Sequence, residues 1–548
     1  MELSGSRPIT KKTLDLRRSR HPVNWREKIV QSSDRVICAL IAVLVLGSVL
    51  GFGGAVWWFR PVMAVAAFLL VAIKLAQSLA TGRMPILKSP LGLLGLLALG
   101  LGVVQLAPLP AGLASRLSPA AHEAYARGLL PRLVHTDDPE ASLPQAPQLR
   151  SPASLDRSAT LRWLVEATAC LGIFWSVSHF TDRLGRLYLV WGLVVAAFLF
   201  NVALAIVQIT NRSDGLYGLF IPGSGPSWAP SLNDLLDAPT TVALRNLADS
   251  SELGADTAVP TSKAVLIPTT PFLFGTMMGG PGAFLALGAL ALPLALAIVL
   301  HLLSPRGSRE SLSGRLGYSS QGSLVLLLVV MMLLGSFLIG LVAGPWYCLP
   351  VILGLATVGL PALVLPGSRW PALCMVILLL AGIGLGVMLE GSWPVLLGGQ
   401  SPVGPPDLDS TRALWSESVE MIREFPLVGA GLGSFGVIHP YFKDRDLSST
   451  TAMSSLLQWS VESGAVGLGI LALGVLWCLI RLPSVLKRVG RIDRFLAHGL
   501  IGAALSFSLL AAVHWTIELS AVAISASALG GTWNRWLAGG TDLFVERG

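Results

Sequence analysis

Charge is what this sequence has least of. Of its 548 residues only 13% are Asp, Glu, Lys or Arg, about half the share in a water-soluble domain, while 53% are hydrophobic. So few charges cannot cover so much apolar chain with a water-facing surface, which excludes an ordinary soluble fold. Cysteine is scarce too, and Cys38, Cys170, Cys348, Cys374 and Cys478 all fall within or at the end of apolar stretches. No loop thiols remain for a disulfide framework, and none of the spacing suits a metal site. A G-x-x-x-x-G-K-[S/T] loop is missing, so ATP-driven transport by this chain alone is not expected. No repeat is apparent and the halves show no inverted symmetry, which argues against the repeat-built transporters.

What the chain does have is a series of continuous apolar runs, each close to the roughly 20 helical residues needed to cross about 30 Å of hydrocarbon. They are unbroken and lack the alternation of a membrane barrel strand. The reading is an all-α integral membrane protein of about twelve transmembrane helices, with short amphipathic helices in the extracytoplasmic loops. A basic tail spans 1–36, nine helices with loops 110–159 and 210–281 fill 37–389, a long loop spans 390–455, three helices fill 456–538, and a tail spans 539–548. The first run starts too far along the chain for a secretory signal, so no cleaved signal is expected.

Orientation follows from the basic residues. Nine of them, from Arg7 to Arg35, precede the first run, and alternate loops carry Arg83 and Lys88, Arg183 and Arg186, Arg306, Arg309 and Arg315, Arg369, and Arg481 to Arg494. These short basic loops should be cytoplasmic together with both termini, leaving the three long loops outside. The net charge of +8 then comes mostly from the tail and inner loops. It points to anionic headgroups as partner, not to nucleic acid.

Polar groups inside apolar runs are costly and therefore candidates for function. Gln105, Arg162, Glu166, Gln208, Glu462, His514 and Glu518 fall in the outer halves of their runs. Arg162 with Glu166, and His514 with Glu518, stand four apart and can pair on one helix face, either lining a cavity or joining helices. Lys74 lies toward the inner side, where snorkelling accounts for it. In the last long loop, TRALWSESVEMIREF at 411–425 places Leu414, Trp415, Val419, Ile422 and Phe425 at helical spacing, with Arg412 and Arg423 on a common side. Such a helix either rests on the leaflet and presents two cations or simply keeps a solvated charged face. GLGSFG at 431–436 lacks the strand and acidic partner of a dinucleotide site, and Asp407 with Asp409 reads as a turn.

RALWSESVEMIREFPLVGAGLGSFGVIHPYF at 412–442 resembles the signature of the O-antigen ligase and O-antigen polymerase superfamily. Pro426, Gly429, Gly431, Gly433, Phe435, Pro440 and Tyr441 match its pattern. Leu457, Gln458, Glu462, Gly464 and Gly467 resemble the helix that follows it in that family. QLAPLPAGLASRLSP at 105–119 and FGTMMGGPGAFLALGALALP at 274–293 are similar to two further segments. The resemblance implies glycan transfer on the outer face of a bacterial cytoplasmic membrane. The donor would be an undecaprenyl-diphosphate-linked glycan and the acceptor a glycan, lipid or protein. Arg412, Arg423, Lys443 and Arg445 would hold the diphosphate, and no metal or cofactor is required.

The chain also departs from the pattern. Thr451 to Leu456 replace the family's histidine-bearing string, with Met453 where no proton can be held. Gly279, Gly280 and Pro281 replace an Asn-x-Asn, and LVAGPWYCLP at 341–350 lacks the usual Arg. His439 is the candidate substitute base, or else an exposed loop histidine. Glu462 is a second candidate, or else a buried structural carboxylate. A non-catalytic relative that binds or assembles envelope glycans, and a transporter, stay open as alternatives.

Overall fold

The computed structural model describes residues 25–51, 59–82, 89–133, 150–211, 265–266, 273–274, 277–278, 280–303, 320–364, 369–389, 408–442, 447–449, 451–489, 494–514 and 520–538. Nearly all of them are helical. In chain order the helices are α1 Trp25–Leu50, α2 Phe59–Thr81, α3 Leu91–Leu106, α4 Ala111–Leu117, α5 Pro119–Leu133, α6 Arg157–Phe180 and α7 Leu184–Asn211. They continue with α8 Gly280–Leu303, α9 Ser320–Val364, α10 Arg369–Met388, α11 Leu408–Glu424, α12 Ser455–Leu486, α13 Arg494–Val513 and α14 Ser520–Leu537. Among the described residues, nine helical segments are long and apolar enough to cross a membrane. The chain is therefore a multi-pass membrane protein, with α3, α6 and α14 outside that count.

Lipid demands that every backbone group be satisfied within a span, which is why apolar runs become helices here. Their packing then depends on small residues. α8 is rich in Ala, Leu and Gly and forms the axis of the bundle, buried along nearly its whole apolar length, whereas the apolar stretch of α12 is almost entirely unburied. Bundle helices touch closely at glycines. A Cβ on Gly340 would sit 2.1 Å from the Ile383 carbonyl oxygen, and one on Gly386 would sit 2.2 Å from that of Phe337. These contacts lock α10 against the first half of α9.

α9 has 45 residues, about 68 Å if straight, more than twice the hydrocarbon thickness. It is not straight. Cys348 Sγ lies 3.8 Å from the carbonyl oxygen of Ile339, nine residues earlier, so the chain reverses at Gly344–Pro345. Two apolar segments result, Gly322–Ala343 and Pro345–Leu363.

At one end of the bundle, α1, α2 and α7 share a polar network. Lys74 Nζ donates to Gln77 Oε1 at 2.8 Å, and Gln77 Nε2 donates to Asp34 Oδ1 at 2.7 Å. Arg186 binds Asp34, pairs with Asp182 at 3.0 Å and covers the Phe180 ring. This corrects the snorkelling expected of Lys74, which is only 7% exposed. With an acceptor one turn away inside the bundle, the ammonium need not reach the headgroups.

Candidate functional site

The opposite end of the bundle carries a compact cap, and its organising feature is a break in α12. Ser454 caps that helix, accepting from the Leu457 N–H at 3.2 Å while donating to the Ala512 carbonyl at 2.7 Å. At Gly464 the backbone takes φ 61°, ψ −159°, a region that side-chain-bearing residues essentially never occupy. In an unbroken helix the Ala465 and Val466 N–H groups would bond the carbonyls of Val461 and Glu462. Instead they donate to the carbonyls of Pro426 and Leu427, at 2.9 and 3.1 Å. The abandoned carbonyls of Val461 and Glu462 accept from the N–H groups of Ala430 and Gly431, at 3.0 and 3.2 Å. Four helical hydrogen-bonding groups thus exchange partners with the loop 426–431.

The loop can follow this path because of its glycines. Gly429, Gly431 and Gly433 have φ of 74°, 117° and 77°. A Cβ on Gly429 would lie 2.3 Å from the Glu462 carbonyl carbon and oxygen, and one on Gly431 would meet Ser154 Oγ at 2.4 Å.

Two polar side chains close the arrangement. Gln105, fully buried at the end of α3, donates from Nε2 to the carbonyls of Val428 and Glu462 at 2.6 and 2.8 Å. Its Oε1 accepts from the Leu432 N–H at 3.0 Å. Glu462 accepts from the N–H groups of Gly433 at 2.7 Å and Phe435 at 3.3 Å, and from Gln458 Nε2 at 3.1 Å. Residues 151–155 complete the cap, with Ser154 N–H donating to the Gln105 carbonyl and Leu155 N–H to the Ala430 carbonyl, both at 3.0 Å.

His439 sits in the next turn, completely buried. Its Nδ1 accepts from the Ser449 N–H at 3.3 Å, so the ring proton is on Nε2, which donates to Glu417 Oε2 at 2.8 Å. The Phe435 ring stacks on the imidazole at 5.5 Å. Both ring nitrogens are therefore engaged, and an acceptor hydroxyl has no free lone pair to meet.

Glu417 comes from α11, whose buried side carries Thr411, Leu414, Glu417, Ser418, Met421 and, just past its end, Phe425. Val419, expected on the apolar side, is 40% exposed, because the inward face is set by the docking of α11 on protein and not on the leaflet. Arg412 and Arg423 are both exposed on the other side of α11. Arg162 is exposed on α6. Its expected pairing with Glu166 is corrected, since Glu166 pairs instead with Arg60 of α2 at 3.3 Å. His514 packs edge-on against Tyr347 at 5.4 Å and fills the space a side chain on Gly282 would need. Tyr347 in turn hydrogen-bonds the Thr411 side chain, so α8, α9, α11 and α13 meet there. Lys443, Arg445 and Glu518 lie outside the described residues, and so does the side chain of Gln208.

The arrangement has a chemical consequence. A glycine loop with successive backbone N–H groups is a ready cradle for phosphate. Here the N–H groups of Gly433 and Phe435 are taken by the Glu462 carboxylate and that of Leu432 by Gln105. An incoming anion must be met by side-chain cations. Residue by residue, the sequence pointed to Glu462 and His439 but missed Glu417, whose signal was a carboxylate in register with an apolar helix face. Gln105 stood out only as a polar group in an apolar run.

Asp156 caps α6 beside this cap, accepting from the N–H groups of Ser158 and Ala159 at 2.9 and 3.0 Å. Burial alone would raise its carboxyl, but the donors of Ala159 and Ser158, with Arg162 nearby, outweigh it and hold it below the ordinary carboxylate range. Its stabilising contribution is thus present above the unfolded-state value, about pH 4, and lost as pH falls through the lower folded value. Asp156→Ala should cost about 1 kcal/mol. Thermal unfolding near neutral pH should show that loss, and Asp156→Asn should restore most of it.

No known protein family matches the chain, and no curated protein matches its sequence.

Proposed function

We propose that this protein crosses a bacterial cytoplasmic membrane twelve times, with both termini inside and the cap outside. In this reading it is a membrane glycan ligase or polymerase that transfers a glycan from an undecaprenyl-diphosphate-linked donor to an acceptor glycan, lipid or protein. The observation that carries the reading is the folding of the ligase-like segment. Within it the loop 426–431 closes on the break at Gly464, and α11 keeps Arg412 and Arg423 exposed. A diphosphate is already a good leaving group, so cations for it and one base for the acceptor suffice without a metal. Lys443 and Arg445 extend the cation set in this proposal.

A second reading has its own support. His439 holds both ring nitrogens in hydrogen bonds, which favours a relative that binds lipid-linked glycan in envelope assembly without transferring it. Binding of undecaprenyl diphosphate to protein in nanodiscs tests what both share. Arg412→Ala with Arg423→Ala should weaken it at least ~10-fold, the loss expected from removing two charge-assisted contacts. Unchanged affinity would defeat both readings. Deletion of the gene then separates them, because only loss of a ligase or polymerase activity should be reversed by supplying a transfer-competent enzyme in its place.

A further inference from the structure

The buried imidazole of His439 belongs to a closed ring of contacts. From Glu417 the path runs through His439 to the Ser449 N–H, and Ser449 Oγ accepts from the Thr451 N–H at 3.2 Å while donating to its carbonyl at 2.7 Å. The next residue, Ala452, donates its N–H to Gln458 Oε1 at 3.4 Å. Gln458 passes the path to Glu462, which accepts from Phe435, whose ring stacks back on His439. Within it, Met453 is held at φ 52°, the single positive value among described residues other than glycine.

The two sides of the imidazole respond to a proton in opposite ways. A proton added at Nδ1 leaves the Nε2 bond to Glu417 in place and strengthens it, since an imidazolium then faces a carboxylate. At Nδ1 it turns the acceptor for the Ser449 N–H into a second donor, and two donors at 3.3 Å cannot stay bonded. Among the described elements around the ring, α11 contributes the Glu417 carboxylate and residues 435–438 the Phe435 face. Ser449 and residues 451–453 contribute backbone and hydroxyl groups, and α12 contributes Glu462, reached through Gln458.

We propose that His439 is a proton-operated latch, in which protonation of Nδ1 releases the Ser449 N–H, and with it the bonded residues 451–453, while the bond to Glu417 holds the turn on α11. The device is independent of what the cap binds. The segment it releases leads directly to Ser454, the cap of the broken helix, so acidification loosens the approach to α12 without unfolding the glycine loop.

Amide hydrogen exchange on the full-length protein in nanodiscs, corrected for intrinsic pH dependence, tests this between pH 8 and pH 5. Protection at Ser449, Thr451, Ala452 and Met453 should fall across that range as pH drops, by up to ~10-fold per unit for one proton taken up, while residues 411–424 keep theirs. His439→Gln, which cannot titrate, should abolish the pH dependence. Glu417→Gln, which removes the charge favouring the imidazolium, should shift the transition to lower pH. Protection of Ser449 and 451–453 that is flat with pH in the parent protein overturns the latch, and so does a transition that both variants leave unchanged.

Discussion

Gly464→Ala should disassemble the cap while leaving the membrane helices inserted. A Cβ at this position would lie 2.5 Å from the Leu427 carbonyl oxygen and 2.6 Å from the Gly429 nitrogen, both backbone atoms that no rotamer change can move. The conformation itself costs a non-glycine residue ~1–3 kcal/mol. The chain's escape is to heal the helix, which restores the bonds within 461–466 but strips the loop 426–431 of its four partners. At about 1 kcal/mol net per hydrogen bond, with added cost for each group left dry, the loop cannot stay in place. Limited proteolysis should show new cleavage within 426–435 in the variant and none in the parent. Equal resistance would mean that the break is not what holds the loop.

Glu462→Ala carries the second large effect. It leaves the N–H groups of Gly433 and Phe435 and the Gln458 amide without their shared acceptor. Losing a buried acceptor costs roughly 1–3 kcal/mol per stranded donor, so a loss on the order of 3–5 kcal/mol is expected once partial rehydration is allowed for. Glu462→Gln should fall between parent and Ala, because its oxygen still accepts while its amide presents a donor to another donor. Thermal unfolding followed by the fluorescence of Trp459, one turn away on α12 and 5.9 Å from Trp163, provides the ranking. A Gln variant as unstable as Ala would point to the charge, and not the hydrogen-bond pattern, as the source of stability.

These two substitutions mark the border of what the sequence makes legible. The spans are readable because lipid permits little besides continuous apolar helices, and even the reversal inside α9 is written as Gly344–Pro345 between two runs. The break at Gly464 is not readable in the same way. The chain has 58 glycines, and nothing local tells which of them will sit at positive φ inside an otherwise apolar helix. That depends on a loop arriving some 35 residues earlier with matching donors and acceptors, a partnership about which hydropathy is silent.

The side-chain pairings show the same limit. Arg162 and Glu166 look self-sufficient at a spacing of four, yet the carboxylate is claimed by Arg60 from another helix. Lys74 appears bound for the headgroups until Gln77 and Asp34 are seen beside it. Glu462 was visible as an expensive polar residue, but whether such a residue holds substrate or holds the fold depends on what is packed around it. Here it holds the fold, through donors contributed by the glycine loop. Glu417 hid within an amphipathic pattern because helical spacing identifies a buried face without revealing which polar group is needed there to meet His439.

The glycine-rich loop is a locked structural element, tied into a broken helix by exchanged backbone bonds. Amide hydrogen exchange of the parent protein in nanodiscs at neutral pH tests it most directly, read at Ala430, Gly431, Leu432, Gly433, Phe435, Ala465 and Val466. Exchange at these positions as slow as in the interior of α8 is the predicted result. Fast exchange at 430–435 beside slow exchange at Ala465 and Val466 would contradict it, because α12 would then be continuous and the loop unattached.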